Sequence, residues 1–479
     1  MTTTLERPAI LEPIAARSAV VPEPKQEHRG TAVRLALLVA VGGVLRFWGL
    51  GASRLSYDET FTAMAGRLPV GSLFNFLRLN DSHPPLDYLL RAPLARAGLN
   101  ELWFRMPSAI LSLGALALFA WWMRSRGRAG LIATALLAVS SFQVSHAREA
   151  RMYAELEFLG VAIAVLATAW YSKPRRWHAP LLGVLVFVGL LTHVSMFLLA
   201  AGVLALPGRR TDREAWRWRA AIVLGGLGWA LVWGSTFLTQ AGGGHSAWIP
   251  PTTLSGLGSA ISRLVTFEPT LVLVVAAATI AGGVTVWRRN PTLGRVWTCC
   301  FAVPVALAAV AGLVEPVVLD RTFTLMAWAP CLAIAWLLDA LASRRRILGL
   351  VAVLAVFAVI VPSTLRGIQT PSGPDTPLRQ LALVARPGDI VAVRPATKSP
   401  ELAWSLGVRG RAPTRPVAVP GLPKAFGMQV GTGRPSGRIW LLDWRPIPHP
   451  RFTAADQCAP RWSWGHTHIQ CVRARPGVA

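Results

Sequence analysis

The chain is short of acidic residues: 23 Asp and Glu stand against 49 Lys and Arg in 479 residues, a formal net charge of +26. Charge of either sign is scarce, at 15% of residues, whereas 53% are hydrophobic. With a positive mean hydropathy, that balance excludes an ordinary soluble domain. Five cysteines are too few for a disulfide framework. Cys299, Cys300 and Cys331 lie inside apolar stretches and read as packing residues. Cys458 and Cys471 lie in a polar region, and a bridge between them requires an oxidising compartment. Residues 1–30 lack the apolar core and small-residue cleavage site of a secretory signal and read as a disordered cytoplasmic tail. Residues 363–479 carry no glycine fingerprint of a nucleotide site, and the chain shows no internal repeat. The basic excess does not indicate nucleic-acid binding, because the arginines sit between apolar runs rather than on a solvated domain.

What is present is a series of apolar segments, each near the roughly 17–25 residues that a bilayer demands of a spanning helix. They run over 33–51, 107–123, 130–146, 153–171, 179–192, 194–207, 220–238, 269–287, 296–314, 322–341 and 347–362. The expected fold is an α-helical polytopic membrane protein of about 11 spans. Thr192-His193 divides the long stretch 179–207, since a polar pair suits an interface better than a bilayer centre. With that division the basic loops at Arg124–Arg128, Lys173–Arg176, Arg209–Arg219, Arg288–Arg295 and Arg344–Arg346 fall on one side, which positive-inside asymmetry makes cytoplasmic. The N-terminus is then cytoplasmic as well.

Two regions stand on the other side. The first external loop, 52–106, has helical apolar spacing over Phe61–Arg67 and Leu86–Arg96 and is expected to carry amphipathic helices at the membrane surface. Residues 31–362 form the membrane domain, and 363–479 form a small extracytoplasmic α/β domain with β-like runs at Asp389–Val393 and Arg438–Leu442.

Four polar places sit at segment ends on that outer side. Asp58-Glu59 follows the first apolar segment. Two carboxylates at a membrane boundary are costly to bury and can accept a proton. Their ordinary reading is a surface pair with Arg54 or Arg67. His83-Pro84-Pro85 fixes where His83 points, either as a plain turn or toward a phosphate or sugar. In His146–Tyr153, Arg148 and Arg151 share a helical face, and their forked guanidinium groups suit a phosphate or lipid headgroups. Arg321 could pair with Asp320 or bind phosphate. Thr192-His193, Glu155 and Glu157 are weaker candidates that more often stabilise packing, and His245 lies in a Gly-rich outer loop.

Taken in order, these places resemble the GT-C superfamily of membrane glycosyltransferases, of the protein O-mannosyltransferase and aminoarabinose transferase type. Asp58-Glu59 matches the acidic motif of the first external loop, and His83-Pro84-Pro85 its continuation. Arg148–Tyr153 matches an Arg-x-x-Arg-Met-Tyr segment, Thr192-His193 a mid-chain pair, and Arg321, Phe323 and Pro330 a late external arginine followed by an aromatic and a proline. The resemblance is strongest over residues 40–200 and fades beyond 340. It implies a GT-C-like fold and transfer of a sugar from a polyprenyl-phosphate donor to an acceptor hydroxyl with inversion. The Ala-, Arg-, Gly- and Pro-rich composition points to a bacterium, and so to a bacterial plasma membrane.

In that reading Asp58 is the general base and Glu59 orients the acceptor or tunes Asp58. His83, Arg148, Arg151, Tyr153 and Arg321 hold the donor's phosphate or sugar. No cofactor is implied, because a lipid phosphate already leaves well. Some relatives bind a divalent metal, but the ligand pattern here is too incomplete to expect one. The C-terminal domain lacks the sugar-binding repeats of eukaryotic protein O-mannosyltransferases, which favours an envelope glycan or glycolipid acceptor over a protein. The alternative is a transporter or flippase of lipid-linked precursors. That would place ionisable groups at the bilayer midplane on repeat-related broken helices, whereas the candidates here lie at segment ends on one side. An assembly role for residues 363–479 also stays open.

Overall fold

The computed structural model describes residues 24–53, 55–207, 212–241, 249–369 and parts of 381–473. Helix α1 (Pro24–Phe47) begins inside the segment expected to be a tail. Residues 1–23, Arg54 and the His245 loop lie outside the described residues. The first external loop folds into α2 (Tyr57–Gly66), α3 (Val70–Asn80) and α4 (Leu86–Arg96). The expected stretches at 61–67 and 86–96 fall on α2 and α4, and α3 is an addition.

The bundle continues with α5 (Glu101–Met123), the pair α6 (Gly127–Val139) and α7 (Ser141–Ala147), α8 (Tyr153–Ser172), α9 (His178–Thr192), α10 (Met196–Leu204) and α11 (Asp212–Ala241). After α12 (Leu254–Arg263) come α13 (Val272–Arg289) and α14 (Pro291–Trp297), which a π turn joins to α15 (Val303–Ala311). A 3-10 segment (Asp320–Met326) leads into α16 (Trp328–Arg344), and α17 (Arg346–Gln369) closes the bundle.

Among the described residues, 7 helices are long and apolar enough to cross a bilayer. Counting two bent pairs as one span each, α6 with α7 (50°) and the 3-10 segment with α16 (68°), gives 9. This is a multi-pass helical membrane protein. The expectation of about 11 spans included α9 and α10, which have 15 and 9 residues. At about 1.5 Å per residue both fall short of a hydrocarbon core of about 30 Å. The chain does break between them, at an extended His193 (φ −161°, ψ 143°).

Two ends of the bundle are chemically distinct. At one end Asp339 of α16 accepts from Arg128 (2.6 Å) and Arg289 (2.7 Å), and Arg295 lies 5.4 Å from the Tyr171 ring. Trp170 of α8 stacks on Trp218 of α11 at 4.3 Å, and Trp218 donates to the Val203 carbonyl of α10. The basic loops therefore gather together. At the other end lie α2–α4 and the starts of α8, α10 and the 3-10 segment, with the finishes of α9, α11 and α15.

Polar ties hold this second end in register. Arg46, fully buried in the last turn of α1, donates to Ser112 (2.9 Å) and to the carbonyls of Gly42 (3.0 Å) and Ala138 (3.1 Å). Ser112 in turn donates to Glu157 of α8 (2.9 Å). A buried cation surrounded by carbonyls and a carboxylate fixes α1, α5, α6 and α8 against each other, because no arrangement with fewer partners pays its desolvation. Gly160 lets α8 touch the 3-10 segment: a Cβ there would stand 1.8 Å from the Leu325 carbonyl oxygen. That contact sets Arg321 beside α8.

The C-terminal region carries a six-stranded sheet in the order β2-β3-β1-β4-β6-β5. Its strands are β1 (Ile390–Arg394), β2 (Thr414–Val417), β3 (Phe426–Val430), β4 (Arg438–Asp443), β5 (Gln457–Trp464) and β6 (Thr467–Arg473). The two runs expected from sequence are β1 and β4, paired in parallel at its centre; the other pairings are antiparallel. Met64 of α2 packs against the cluster formed by Val391, Val393, Trp440, Leu442 and Ile469, so this region rests on the helix that carries Asp58.

Cys458 and Cys471 form a disulfide between β5 and β6. Closing a loop of this size contributes about 3 kcal/mol. Replacing both cysteines by serine is expected to lower protection of β5 and β6 amides by that amount in hydrogen exchange and to leave the helices unchanged.

Candidate functional site

The site is assembled on α2. Ser56 caps this helix: its Oγ accepts from the Glu59 amide (3.4 Å), and Glu59 Oε2 accepts from the Ser56 amide (2.7 Å). This reciprocal capping box fixes the first turn. It also divides the acidic pair. Glu59, 1% exposed, turns inward and accepts from Arg105 Nε (2.7 Å) and Nη2 (2.8 Å) and from the Ala150 amide (2.7 Å). Burial raises its pKa, but the Arg105 hydrogen bond and charge, with the two backbone amides, outweigh that and hold it below the usual carboxylate range. Neither carboxylate pairs with Arg67, which donates to the Ala95 carbonyl (3.2 Å).

Asp58, one residue earlier, faces the other way into a cavity of ≈ 690 Å³. Its carboxylate makes no hydrogen bond among the described residues. The polar wall of the cavity brings together Asp58, Asp81, His83, Arg151, His193 and Arg321; Phe197, Leu198, Phe237, Val317 and Leu319 supply an apolar wall.

Each polar group is held from behind. Arg151 is 3% exposed and donates through Nη1 to Thr62 (2.8 Å) and to the Tyr88 hydroxyl (3.3 Å); its Nε has no hydrogen-bond partner among the described residues. Burial lowers its pKa, yet Tyr88, Tyr153, Asp58 and Asp81 outweigh that and raise it well above the usual value. It therefore stays a cation despite its burial. Its carbonyl accepts from Arg91 (3.2 Å). Arg91 is clamped by Asp87 (2.6 Å) and Glu155 (3.2 Å), so the 148–152 turn is tied to α4.

His83 Nδ1 lies 2.9 Å from Asp81 Oδ1, and Asp81 Oδ2 accepts from the Tyr88 hydroxyl. Burial raises the Asp81 pKa, but His83, Arg151 and Tyr88 outweigh it and hold Asp81 well below the usual range. A carboxylate on Nδ1 orients the His83 ring and leaves Nε2 for other partners. The His83 and His193 rings are 5.5 Å apart. Asp320 does not take up the Arg321 side chain: its carboxylate accepts from Arg263 (3.3 Å) and from the Arg321 amide (2.8 Å). Arg321 Nη1 donates to the Tyr153 hydroxyl (3.3 Å) at the cavity wall.

Of the residues singled out in the sequence, Asp58, His83, Arg151 and Arg321 line one cavity, and buried Tyr153 stands behind Arg321. Glu59 and Arg148 line a separate, smaller hollow. Arg148 donates to the carbonyls of Trp48 (2.5 Å), Gly49 (3.3 Å) and Arg46 (3.4 Å) and so covers the C-terminal end of α1. The equal spacing of Arg148 and Arg151 did not put them on one face, because the chain turns between α7 and α8 instead of continuing a helix. Asp81 was overlooked, although its place two residues before His83 suits an Asp–His contact in a turn. The Ser56-x-x-Glu59 spacing was itself a readable capping signature. Among the described residues, no three His, Cys, Asp or Glu side chains gather closely enough to hold a metal ion.

No family model and no curated protein sequence matches the chain. Solved structures do match. The crystal structure of ArnT from Cupriavidus metallidurans in the apo state superposes with a TM-score of 0.61 at 13% identity, covering 92% of this chain and 98% of that one. The structure of ArnT bound to undecaprenyl phosphate gives 0.58 at 13% identity, covering 93% and 98%. The likeness runs over nearly the whole of both chains. The chain has the fold of the GT-C membrane glycosyltransferases.

Proposed function

We propose that the protein transfers a sugar from a polyprenyl-phosphate donor to an acceptor hydroxyl, with inversion, in the cavity that Asp58 faces. The observation that carries this reading is the composition of that one cavity. A carboxylate without a hydrogen-bond partner among the described residues faces two guanidinium groups and a carboxylate-oriented histidine across an apolar-sided hollow at one end of a membrane bundle. Lipid phosphate and hydrocarbon ask for that pairing of surfaces, and the ArnT structure with undecaprenyl phosphate supports it by likeness of fold.

In the proposed reaction Asp58 takes the proton of the acceptor hydroxyl as its oxygen attacks the anomeric carbon. The bond from that carbon to the phosphate oxygen breaks, and the phosphate leaves with the electron pair. Arg151 and Arg321 offset the charge that grows on the leaving phosphate, and His83 donates to phosphate or sugar. Arg151 is already fixed by Thr62, Tyr88 and Arg91 before substrate arrives, so little reorganisation accompanies the charge transfer. Glu59 takes no part in the chemistry and holds the α2 turn instead.

The cavity lies at the end opposite the basic loops, and positive-inside asymmetry supports the reading that it opens on the extracytoplasmic side of a bacterial plasma membrane. The Cys458–Cys471 disulfide favours the same side for the sheet. The acceptor in this reading is an envelope glycan or glycolipid. The test is to supply purified protein with a panel of radiolabelled polyprenyl-phosphate sugars and envelope acceptors. Release of polyprenyl phosphate with labelled acceptor supports the reading, and no turnover of any donor while the protein stays folded opposes it.

Arg148 gives a separate check. Arg148→Gln is expected to leave the donor KM within about twofold and to lower stability by about 1.5–3 kcal/mol, the range for hydrogen bonds to charged groups. A large rise in donor KM at unchanged stability would return Arg148 to the phosphate site.

A further inference from the structure

The basic end of the bundle carries a second large hollow, which the proposed chemistry does not use. It is a groove of ≈ 700 Å³ between α9 and α11. Small residues form its floor: a Cβ on Gly225 would stand 2.5 Å from the Gly183 carbonyl oxygen, so the two backbones nearly touch there. Its sides are apolar and open outward, with Val184 56% and Leu224 66% exposed. At the mouth stand Arg176, Arg217 and Trp216. Both arginines are exposed, and neither has a hydrogen-bond or ion-pair partner among the described residues. Elsewhere at this end Arg128 and Arg289 share Asp339, and Arg295 lies over the rings of Tyr171 and Trp287.

A hydrocarbon channel closed by two uncompensated cations is complementary to a ligand with an apolar tail and an anionic head. Guanidinium forks suit a phosphate, and an exposed tryptophan suits the level of lipid headgroups. A free phosphate would leave the channel empty, and a zwitterionic headgroup brings its own cation next to the arginines. We propose that this groove binds an anionic phospholipid, its phosphate between Arg176 and Arg217 and one acyl chain lying along α9 and α11. The site stands apart from the donor cavity and does not rest on the proposed transfer reaction. It has a bearing on that cavity nonetheless, since α9 ends beside His193 and α11 carries Phe237 and Gln240, all on the cavity wall. A lipid seated in the groove braces two helices that shape the far cavity.

The test uses the full chain in phosphatidylcholine nanodiscs doped with phosphatidylglycerol that carries a photoreactive acyl chain. Crosslinked peptides are expected to concentrate in 178–192 and 212–241, with competition by unlabelled phosphatidylglycerol but not by phosphatidylcholine or inorganic phosphate. Arg176→Gln with Arg217→Gln is expected to reduce this labelling about tenfold or more, at about 1 kcal/mol per juxtamembrane cation. Arg344→Gln with Arg345→Gln, at the same end, is expected to leave it unchanged. Both charge variants alter exposed residues, and an unchanged elution profile confirms that they fold. Labelling spread evenly over the lipid-facing helices, or insensitive to the Arg176 and Arg217 changes, overturns the proposal. Equal competition by phosphatidylcholine means a non-selective lipid contact, and competition by inorganic phosphate means an anion site without a tail; either result also overturns it.

Discussion

Asp58→Asn is expected to lower transfer from a polyprenyl-phosphate sugar by about 10²–10⁴-fold, the range for loss of a positioned general base, while donor binding stays within about twofold of the wild type. The expectation rests on how this side chain is placed. It is half-buried at the cavity wall, makes no hydrogen bond among the described residues, and contributes to the field that keeps Arg151 a cation. Asparagine keeps the shape and the helix but removes the acceptor of the proton. The loss should therefore fall on kcat. The unfolding midpoint should hardly move, because no described partner is left behind. The measurement is steady-state transfer with labelled donor, beside thermal unfolding of the same preparation. Turnover within twofold of the wild type removes Asp58 from the proposed role. A loss of activity that tracks a lower midpoint would instead show that Asp58 is structural.

The helices of this fold were legible because bilayer length and apolar runs leave few alternatives: each of the apolar stretches falls largely on helix. What length alone does not give is which helices cross unaided. α9 and α10 are apolar but short, and the break between them was readable only because a polar Thr192-His193 interrupts an otherwise featureless run. The order of polar motifs at segment ends likewise located Asp58, His83, Arg151 and Arg321 at one cavity. Direction within each motif was not legible. Neighbouring residues on a helix point about 100° apart, so Asp58 and Glu59 had to face different surroundings. The capping residue Ser56 and the distant Arg105 decide which of them faces the cavity. The partner 46 residues away leaves no local signal, and neither does the contact of Arg91 with the Arg151 carbonyl, which depends on how α4 packs beside α8.

Glu59→Gln is expected to be the more damaging change to the molecule, although the neighbouring carboxylate is the proposed base. Arg105 is 1% exposed and gives Nε and Nη2 to Glu59; its Nη1 donates to the carbonyls of Leu50 (3.0 Å) and Ser53 (2.8 Å). Removing the carboxylate's charge takes from a buried guanidinium its carboxylate partner among the described residues, a loss of about 3–5 kcal/mol for pairs of this kind. It also weakens the capping box and the tie to the Ala150 amide, so the α2 turn and the 148–152 turn lose their common anchor. Because the pKa of Glu59 is lowered on folding, its ionised form supports the fold. That stabilisation is fully present above the unfolded-state value of about 4.3 and is lost as pH falls from there through the lower folded-state value. The wild type should thus weaken below about pH 4.3 by a component that Glu59→Gln lacks. Thermal unfolding across pH 3–7 on both proteins measures it. Near-neutral curves separated by the full loss and converging in acid support the assignment. Curves that stay parallel at every pH, or a Glu59→Gln protein as stable as the wild type at pH 7, would show that the Glu59–Arg105 pair does not hold this end of the bundle together.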